Sequence, residues 1–85
     1  MRSAEANDPL LTISAVAQRS GVAASALRYY ESLGLIRSVR AGSGQRRYPR
    51  STLRLIAYIV FAQRLGFTLE EIAGQLAGLP DGRAL

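Results

Sequence analysis

The sequence predicts a mainly α-helical domain: two short helices, a two-stranded hairpin and two further helices, in that order. Apolar residues recur every three or four positions in four segments, the spacing of helices that bury one face. Between the second and third of these segments, residues 36–48 lose that spacing and carry a glycine-rich turn. A glycine or proline follows each segment, where regular structure would end. This order of elements is that of a winged helix-turn-helix.

The composition excludes several kinds of site. The 85 residues contain no cysteine and no histidine, so neither a disulfide nor a thiolate or imidazole metal site is available. The six carboxylates are scattered, and no general acid and base pair can be assembled, so we do not expect an enzyme. No run approaches the ~18 apolar residues of a membrane span, and no signal peptide is visible. We therefore expect a cytoplasmic protein without membrane contact.

The first predicted helix follows a short leader. Residues 1–10 show no periodicity and are predicted to be flexible. From Leu11 the pattern becomes helical, with Thr12 or Ser14 as the N-cap and Gly21 just beyond the end. The residues expected on its inner face are Ile13, Val16 and Ala17.

The second helix is predicted over Ala24–Leu33, with Leu27 and Tyr30 on its inner face and Gly34 as its stop. Two short helices joined by a tight glycine-containing turn are typical of the helix-turn-helix unit. We predict this unit over residues 13–32.

The hairpin, or wing, is predicted over residues 36–48. Two apolar residues bracket polar neighbours before a flexible turn at 41–44, and an extended run resumes over 46–48. Pro49 cannot donate to a strand ladder, so we expect the hairpin to close there.

A long third helix is predicted over Thr52–Leu65, with Ser51 as its cap and Gly66 at its end. A second apolar stripe on this helix exceeds what one small core needs, and we expect that stripe to meet a partner. The residues expected on the buried face are Leu53, Ile56, Ala57, Val60 and Phe61. The second stripe comprises Leu55, Ile59 and Ala62.

The fourth helix carries the clearest start signal. Thr68 and Glu71 have the spacing of a capping box, in which each side chain satisfies a backbone amide at the helix start. The helix is predicted to run to about Ala77, before Gly78 and Pro80 break it. Its apolar residues are Leu69, Ile72, Ala73 and Leu76.

Positive charge is concentrated in the middle of the chain. All eleven cations are arginines, and nine of them fall between Arg19 and Arg64, where Glu31 is the sole acid. This distribution favours a polyanionic partner. Ordinary solubilising charge is the alternative.

The helix-turn-helix and the wing together indicate double-stranded DNA as that partner. The start of the second helix, placed in the major groove, would present Ser25 and Arg28 to base edges and phosphates. The wing alongside would reach the neighbouring backbone through Arg40, Arg46 and Arg47.

Three stretches carry a resemblance to a known family: "LTISAVAQRSGVAASALRYYESLGLI", "QRRYPRSTLRLI" and "RLGFTLEEI". Over residues 11–79 the chain resembles the N-terminal DNA-binding domain of MerR-type transcriptional regulators. The strings "LRYYESLGLI" and "RRY" at this separation are seldom found elsewhere. Within the family, "GQRRYPRSTLR" and "GLPDG" look most like the redox-responsive SoxR branch.

The resemblance implies roles for individual residues. Arg28 and Tyr29 match positions that contact DNA, whereas Tyr30 is expected to pack under the wing with its hydroxyl near the backbone. Tyr48 matches the wing motif and is expected to be partly structural. Gln63 matches a position from which the long helix approaches phosphates. The predicted DNA-binding residues are Ala24, Ser25, Arg28, Tyr29, Arg40, Arg46, Arg47, Tyr48, Arg50 and Gln63, and Arg54 is a further candidate.

One departure concerns the start of the second helix. Ala23 and Ala24 lack the side-chain oxygen of a good N-cap, so either Ser25 or a DNA phosphate must satisfy the amides there. We expect this helix to fray until DNA binds.

The resemblance also implies a mechanism. MerR-type regulators bind as dimers to a pseudo-palindromic operator in a promoter spacer and distort it, so that RNA polymerase can use both promoter elements and transcription is activated. Dimerisation uses a long helix after the DNA-binding domain, and SoxR-like sensing uses an iron–sulfur cluster on cysteines. These residues include neither part, so we expect residues 80–85 to begin a linker, this chain to be monomeric or weakly associating, and no cofactor to be bound.

Two other functions stay open at this point. An excisionase-like architectural protein is equally short, basic and winged, and it would bind directly repeated sites. A protein-interaction module would use the second apolar stripe and meet an acidic partner through its arginines.

Overall fold

The computed structural model describes residues 10–42 and 44–78. The predicted leader over 1–9, the predicted linker over 80–85 and the two positions Ser43 and Leu79 lie outside the described residues. Within the described part of the chain, no helix combines the length and apolar character needed to cross a membrane. The elements in chain order are β1 (Leu10–Leu11), α1 (Ile13–Ser20), α2 (Ala24–Ser32), β2 (Val39–Ala41), β3 (Gln45–Pro49), α3 (Thr52–Arg64) and α4 (Leu69–Ala77).

The helix-turn-helix forms as predicted, because both of its junctions are encoded locally. The Ala15 amide donates to Thr12 Oγ1 at 3.1 Å, which caps α1. Gly21 has φ 77, a left-handed conformation that glycine adopts without strain, and its amide donates to the Ala17 carbonyl at 2.9 Å. Leu27 and Tyr30 of α2 are buried. The turn and the core-facing side of α2 are therefore confirmed.

The start of α2 has no side-chain cap. Ala23 occupies the N-cap position with an extended backbone, and among the described residues no side chain, Ser25 included, accepts a hydrogen bond from the first-turn amides. The helix nevertheless runs from Ala24 onward, so it forms in the absence of a cap.

The wing is an antiparallel pair in which Val39 lies opposite Arg47 and Arg40 opposite Arg46. The Gly44 amide donates to the Ala41 carbonyl at 3.0 Å across the turn. Gly44 has φ 92, which a residue with a side chain rarely adopts, so the turn requires glycine there.

A third strand was not predicted. Leu10 and Leu11 form β1, which pairs antiparallel with β3, so the sheet order is β1-β3-β2. Leu10 is therefore not part of a flexible leader, and Leu11 precedes the helix as a strand residue. Pro49 is the last residue of β3, where the hairpin was predicted to close, and it lies opposite Leu10 of β1. A two-residue strand is too short to show alternation, and its partner lies far along the chain.

The buried face of α3 differs from the prediction. Ile59 is 0% exposed and Ala62 is buried, although both were assigned to a partner-binding stripe. Phe61, assigned to the core, is 60% exposed, and Ala57 is exposed as well. Apolar residues surround nearly the whole circumference of α3, so periodicity alone could not select the inner face; packing against α1 and α4 selects it.

The N-termini of α3 and α4 differ in their caps. Ser51 makes no side-chain capping bond, which corrects its prediction, because its own backbone is helical, with φ −60 and ψ −18. At α4 the capping box is confirmed: Thr68 Oγ1 accepts from the Glu71 amide at 3.0 Å, and Glu71 Oε1 accepts from the Thr68 amide at 2.8 Å.

One hydrophobic core joins all of these elements, with α1 packed against α2, α3 and β3. The buried side chains that form it come from β1, from all four helices, from the segment before β2 and from β3. They are Leu11, Val16, Leu27, Tyr30, Leu35, Ile36, Tyr48, Ile56, Ile59, Ala62 and Ile72.

Candidate nucleic-acid interface

A cleft of about 520 Å³ lies between the helix-turn-helix and the wing. It brings together four of the predicted DNA-binding arginines, one from α2 and three from the wing. We call it the arginine cleft; its lining residues are Thr12, Ile13, Arg28, Arg40, Gly44, Gln45, Arg46, Arg47 and Tyr48. Four of the nine arginines of the central segment therefore share one surface, and the other five do not line it.

Arg28 stands on the outer side of α2, opposite the buried Leu27 and Tyr30. Within residues 10–42 and 44–78, its guanidinium has no hydrogen-bond acceptor and no carboxylate in ion-pair range. An arginine presented in this way has all five N–H donors available to a ligand. The rigid helix beneath it determines where those donors point.

The wing arginines are held by the wing itself. Arg40 Nη1 donates to the Gly44 carbonyl at 2.7 Å. Arg47 donates through Nη1 to the Arg46 carbonyl at 3.0 Å and through Nη2 to Gln45 Oε1 at 2.8 Å. These bonds use only some of the donors of each guanidinium, so the groups are ordered and still able to bind an anion.

The Glu31 carboxylate, in the last turn of α2, accepts hydrogen bonds from residues in or next to both strands of the wing. Its Oε2 accepts from Ser38 Oγ at 2.7 Å, just before β2, and its Oε1 accepts from the Tyr48 hydroxyl at 2.7 Å, in β3. Arg46 Nη1 lies 3.6 Å from the same Oε1. Neither hydroxyl contact was predicted from the sequence.

The surroundings of Glu31 alter its pKa and that of Tyr48. Partial burial raises the pKa of Glu31, but the hydrogen bonds from Ser38 and Tyr48 and the charges of Arg46 and Arg40 outweigh it, and the net pKa is lowered. Burial raises the pKa of Tyr48, and its bond to the Glu31 carboxylate raises it further. The pair is therefore a charged acceptor and a neutral donor at neutral pH.

Tyr48 is a packing residue. Its side chain is 1% exposed, so it offers almost no surface for a DNA contact. The ring fills the core under the wing while the hydroxyl binds Glu31. This agrees with the structural part of its predicted role, and the prediction of a direct DNA contact is corrected, because the buried side chain is not accessible to a ligand.

The other predicted residues lie outside the cleft lining. Ala24 and Ser25 occupy the first turn of α2, half-buried and exposed respectively, and Arg50 is exposed just after β3. Tyr29 is exposed, and its hydroxyl donates to Glu70 Oε2 at 3.4 Å. Gln63 is exposed on α3.

Tyr30 has a different partner from the one expected. Its hydroxyl donates to Gln63 Oε1 at 3.4 Å and not to the backbone. Burial raises the pKa of Tyr30, so this hydroxyl remains a donor. Gln63 is thereby tied to α2 through a side chain of the core.

Thr12, Ile13 and Gln45 line the cleft and were not predicted. Gln45 adjoins the arginine pair of the wing, and that adjacency could have indicated it. Thr12 and Ile13 reach the cleft because β1 pairs with β3 and so brings the start of α1 against the wing. No local signal predicts that pairing.

Comparisons with known proteins agree with this geometry. The profile of a family described as MerR HTH family regulatory protein matches residues 11–79. The chain is similar to an HTH-type transcriptional activator SoxR homolog of Chromobacterium violaceum, with 48% identity over 73 residues that cover 86% of this chain and 49% of the relative.

Two further relatives show the same coverage. An HTH-type transcriptional regulator HmrR of Rhizobium leguminosarum bv. viciae is 36% identical over 71 residues, 84% of this chain and 55% of the relative. A mercuric resistance operon regulatory protein of Shigella flexneri is 40% identical over 73 residues, 85% of this chain and 50% of the relative. The chain thus spans about half the length of these relatives.

Proposed function

The chain belongs to the MerR family of helix-turn-helix regulatory proteins, with SoxR-type regulators among its relatives, and on that premise we propose that it binds double-stranded promoter DNA with α2 in the major groove and the wing on the flanking backbone. The observation that carries the proposal is the arginine cleft, in which a helix arginine and three wing arginines face one space. No catalytic role is proposed, because the family consists of regulators.

Within this arrangement α2 and the wing make different kinds of contact with DNA. Arg28, Ser25 and the start of α2 read base edges and nearby phosphates, because a helix start is narrow enough to enter the major groove. Arg40, Arg46 and Arg47 bind phosphates and fix the register of the domain on the duplex. Tyr29 and Gln63, which lie outside the cleft lining, make further contacts with the DNA backbone.

The uncapped start of α2 supports the same placement. Of the side chains that the structure describes, none caps the first-turn amides, and the helix dipole makes that end favourable for an anion. A DNA phosphate at this end supplies the missing acceptors.

We extend the proposal to the whole regulator. A longer form binds as a homodimer to an inverted repeat in a promoter spacer and deforms the spacer, so that RNA polymerase is recruited productively and transcription is activated. Deforming such a site costs about 1–6 kcal/mol, which the second half-site contact offsets. We place this activity in the cytoplasm. These 85 residues contain no cysteine to hold an iron–sulfur cluster, so we propose no cofactor for them.

The test uses three arginine variants and a duplex that the wild-type chain selects from a random-sequence pool. Arg28→Ala should relax sequence choice at the contacted base pairs by about 1–3 kcal/mol per position. Arg47→Ala should weaken binding to every sequence alike. Arg64→Ala is the matched control, since it removes the same charge from the end of α3 and leaves the cleft unchanged.

Two results would contradict the proposal: no sequence recovered by selection, or an Arg64→Ala loss as large as that of Arg47→Ala. Selection of directly repeated sites in place of inverted ones would favour the excisionase-like alternative.

A further inference from the structure

We propose that Glu31 is a positioning residue that sets the wing at the angle to α2 which lets both contact one duplex. The inference rests on the proposed DNA binding. The carboxylate lies at the end of α2, and its two oxygens take one hydroxyl from each side of the wing, Ser38 before β2 and Tyr48 within β3.

Both contacts are strong for their type. At 2.7 Å each, they are hydroxyl-to-carboxylate bonds of the charge-assisted kind. The Glu31 side chain is 19% exposed, so water competes only weakly for its oxygens. Of the described side chains, Glu31 therefore has the short polar contacts that join the helix-turn-helix to the wing.

The contact with Arg46 is of a different kind. At 3.6 Å it is an ion pair without good hydrogen-bond geometry, and the Arg46 side chain is 51% exposed. Arg46 can turn toward a phosphate while Ser38 and Tyr48 stay bonded to Glu31. The two hydroxyl bonds to Glu31 and the ion pair with Arg46 can therefore change independently.

The proposal makes a prediction opposite in sign to simple electrostatics. A carboxylate beside a DNA surface repels phosphates, so its removal alone would tighten binding. If Glu31 positions the wing, its removal lets the wing shift relative to α2. The wing arginines then no longer face the same duplex as Arg28, and binding is weakened.

The decisive pair of variants is Glu31→Gln and Glu70→Gln, each of which removes one negative charge. Glu70 lies in the first turn of α4, and its side chain reaches only the Tyr29 hydroxyl, at 3.4 Å, among the described residues. On the selected duplex, Glu31→Gln should weaken binding about tenfold, while Glu70→Gln should leave binding equal or tighter. Equal or tighter binding by Glu31→Gln would overturn the proposal.

The salt dependence separates positioning from general loosening of the fold. With the wing displaced, the slope of log K against log salt should become shallower by about 0.9 for each phosphate that the wing no longer neutralises. A Glu31→Gln variant that binds more weakly at an unchanged slope would show that Glu31 does not act through wing phosphates.

A double-mutant cycle identifies the pathway. Added to Arg47→Ala, Glu31→Gln should have much less effect than it has alone, because both act on the wing. Added to Arg28→Ala, it should keep its full effect. Additivity with Arg47→Ala would contradict the proposal.

Folding is checked on each variant by circular dichroism and urea unfolding. Should Glu31→Gln be unfolded, Ser38→Ala removes one of the two anchors and leaves every charge in place; it should weaken binding several-fold with a shallower slope. Ser38→Ala binding like the wild type would then overturn the inference. Failure of the wild-type chain to bind any duplex would instead remove the proposed function itself.

Discussion

The helix α2 and the wing present arginines to the same cleft, but they are held in place by different forces. Arg28 stands on a helix whose inner face, Leu27 and Tyr30, is buried in the core. The wing buries Ile36 and Tyr48 in the same core, and it is also joined to the rest of the domain by the hydrogen bonds to the Glu31 carboxylate and by the pairing of β3 with β1.

This difference separates what each part can do. A side chain held by apolar packing keeps its position over a wide range of pH and salt, because few charges are involved. A segment held by a carboxylate can shift when that group is protonated or neutralised. In the proposed complex with DNA, α2 is therefore suited to reading sequence, and the wing is suited to adjusting its contacts with the backbone.

The largest expected effect is the loss of the apolar support of α2. Leu27→Ala should lower the free energy of unfolding by about 2–5 kcal/mol, because Leu27 is fully buried and leaves a cavity. Val39→Ala, an exposed truncation in the wing, is the control and should change it by about 0.5 kcal/mol or less. Urea unfolding measures both, and a similar cost for the two would erase the contrast between helix and wing.

A smaller effect is expected from the polar anchor of the wing. Tyr48→Phe should lower the free energy of unfolding by about 1–3 kcal/mol, since the ring still packs but Glu31 loses a hydroxyl donor. Tyr58→Phe, a half-buried tyrosine of α3, supplies the matched loss of a hydroxyl. Equal losses for the two tyrosines would mean that the bond to Glu31 contributes nothing of its own.

Acid should loosen the wing before it unfolds the helices. The folded-state pKa of Glu31 is lowered, so its stabilisation is complete above the unfolded-state pKa and is lost as the pH falls below about 4. The wild-type chain should lose stability there more steeply than Glu31→Gln, and wing amides should exchange hydrogen faster than those of α2. Parallel curves for the two proteins would contradict this sign.

The smallest effect is expected on the outer side of α3. Phe61→Ala should cost less than about 1 kcal/mol because Phe61 is largely solvent-exposed. Ile59→Ala, two positions earlier and fully buried, should cost about 2–5 kcal/mol. A larger cost for Phe61→Ala than for Ile59→Ala would contradict the buried face of α3 described above and favour the face predicted from the sequence.

These cases show why part of the fold was predictable. The helices α1 and α4 and the turn at Gly21 are set by neighbouring residues, and a capping box or a left-handed glycine is visible without any tertiary information. The strand β1 and the inner face of α3 depend on distant packing. Two apolar residues do not identify a strand, and a helix that is apolar nearly all round does not indicate which side is buried.

The candidate site divides in the same way. Arg28 and the wing arginines were grouped correctly because α2 and the wing are adjacent along the chain. The position of Thr12 in the cleft lining depends on the pairing of β1 with β3, so it could not be predicted from the sequence. The bonds of Glu31 to two hydroxyls, one of them 17 residues away, required the fold.

The central claim is that α2 and the wing form one cationic surface for DNA, and its most direct test is the salt dependence of binding to the selected duplex. If each domain neutralises about five phosphates, log K should fall with log salt at a slope near −4.5 for the wild-type chain. Arg28→Ala and Arg47→Ala should each make the slope shallower by about 0.9, and Arg64→Ala should leave it unchanged. A wild-type affinity that does not vary with salt, or a slope that responds equally to all three variants, would contradict the claim.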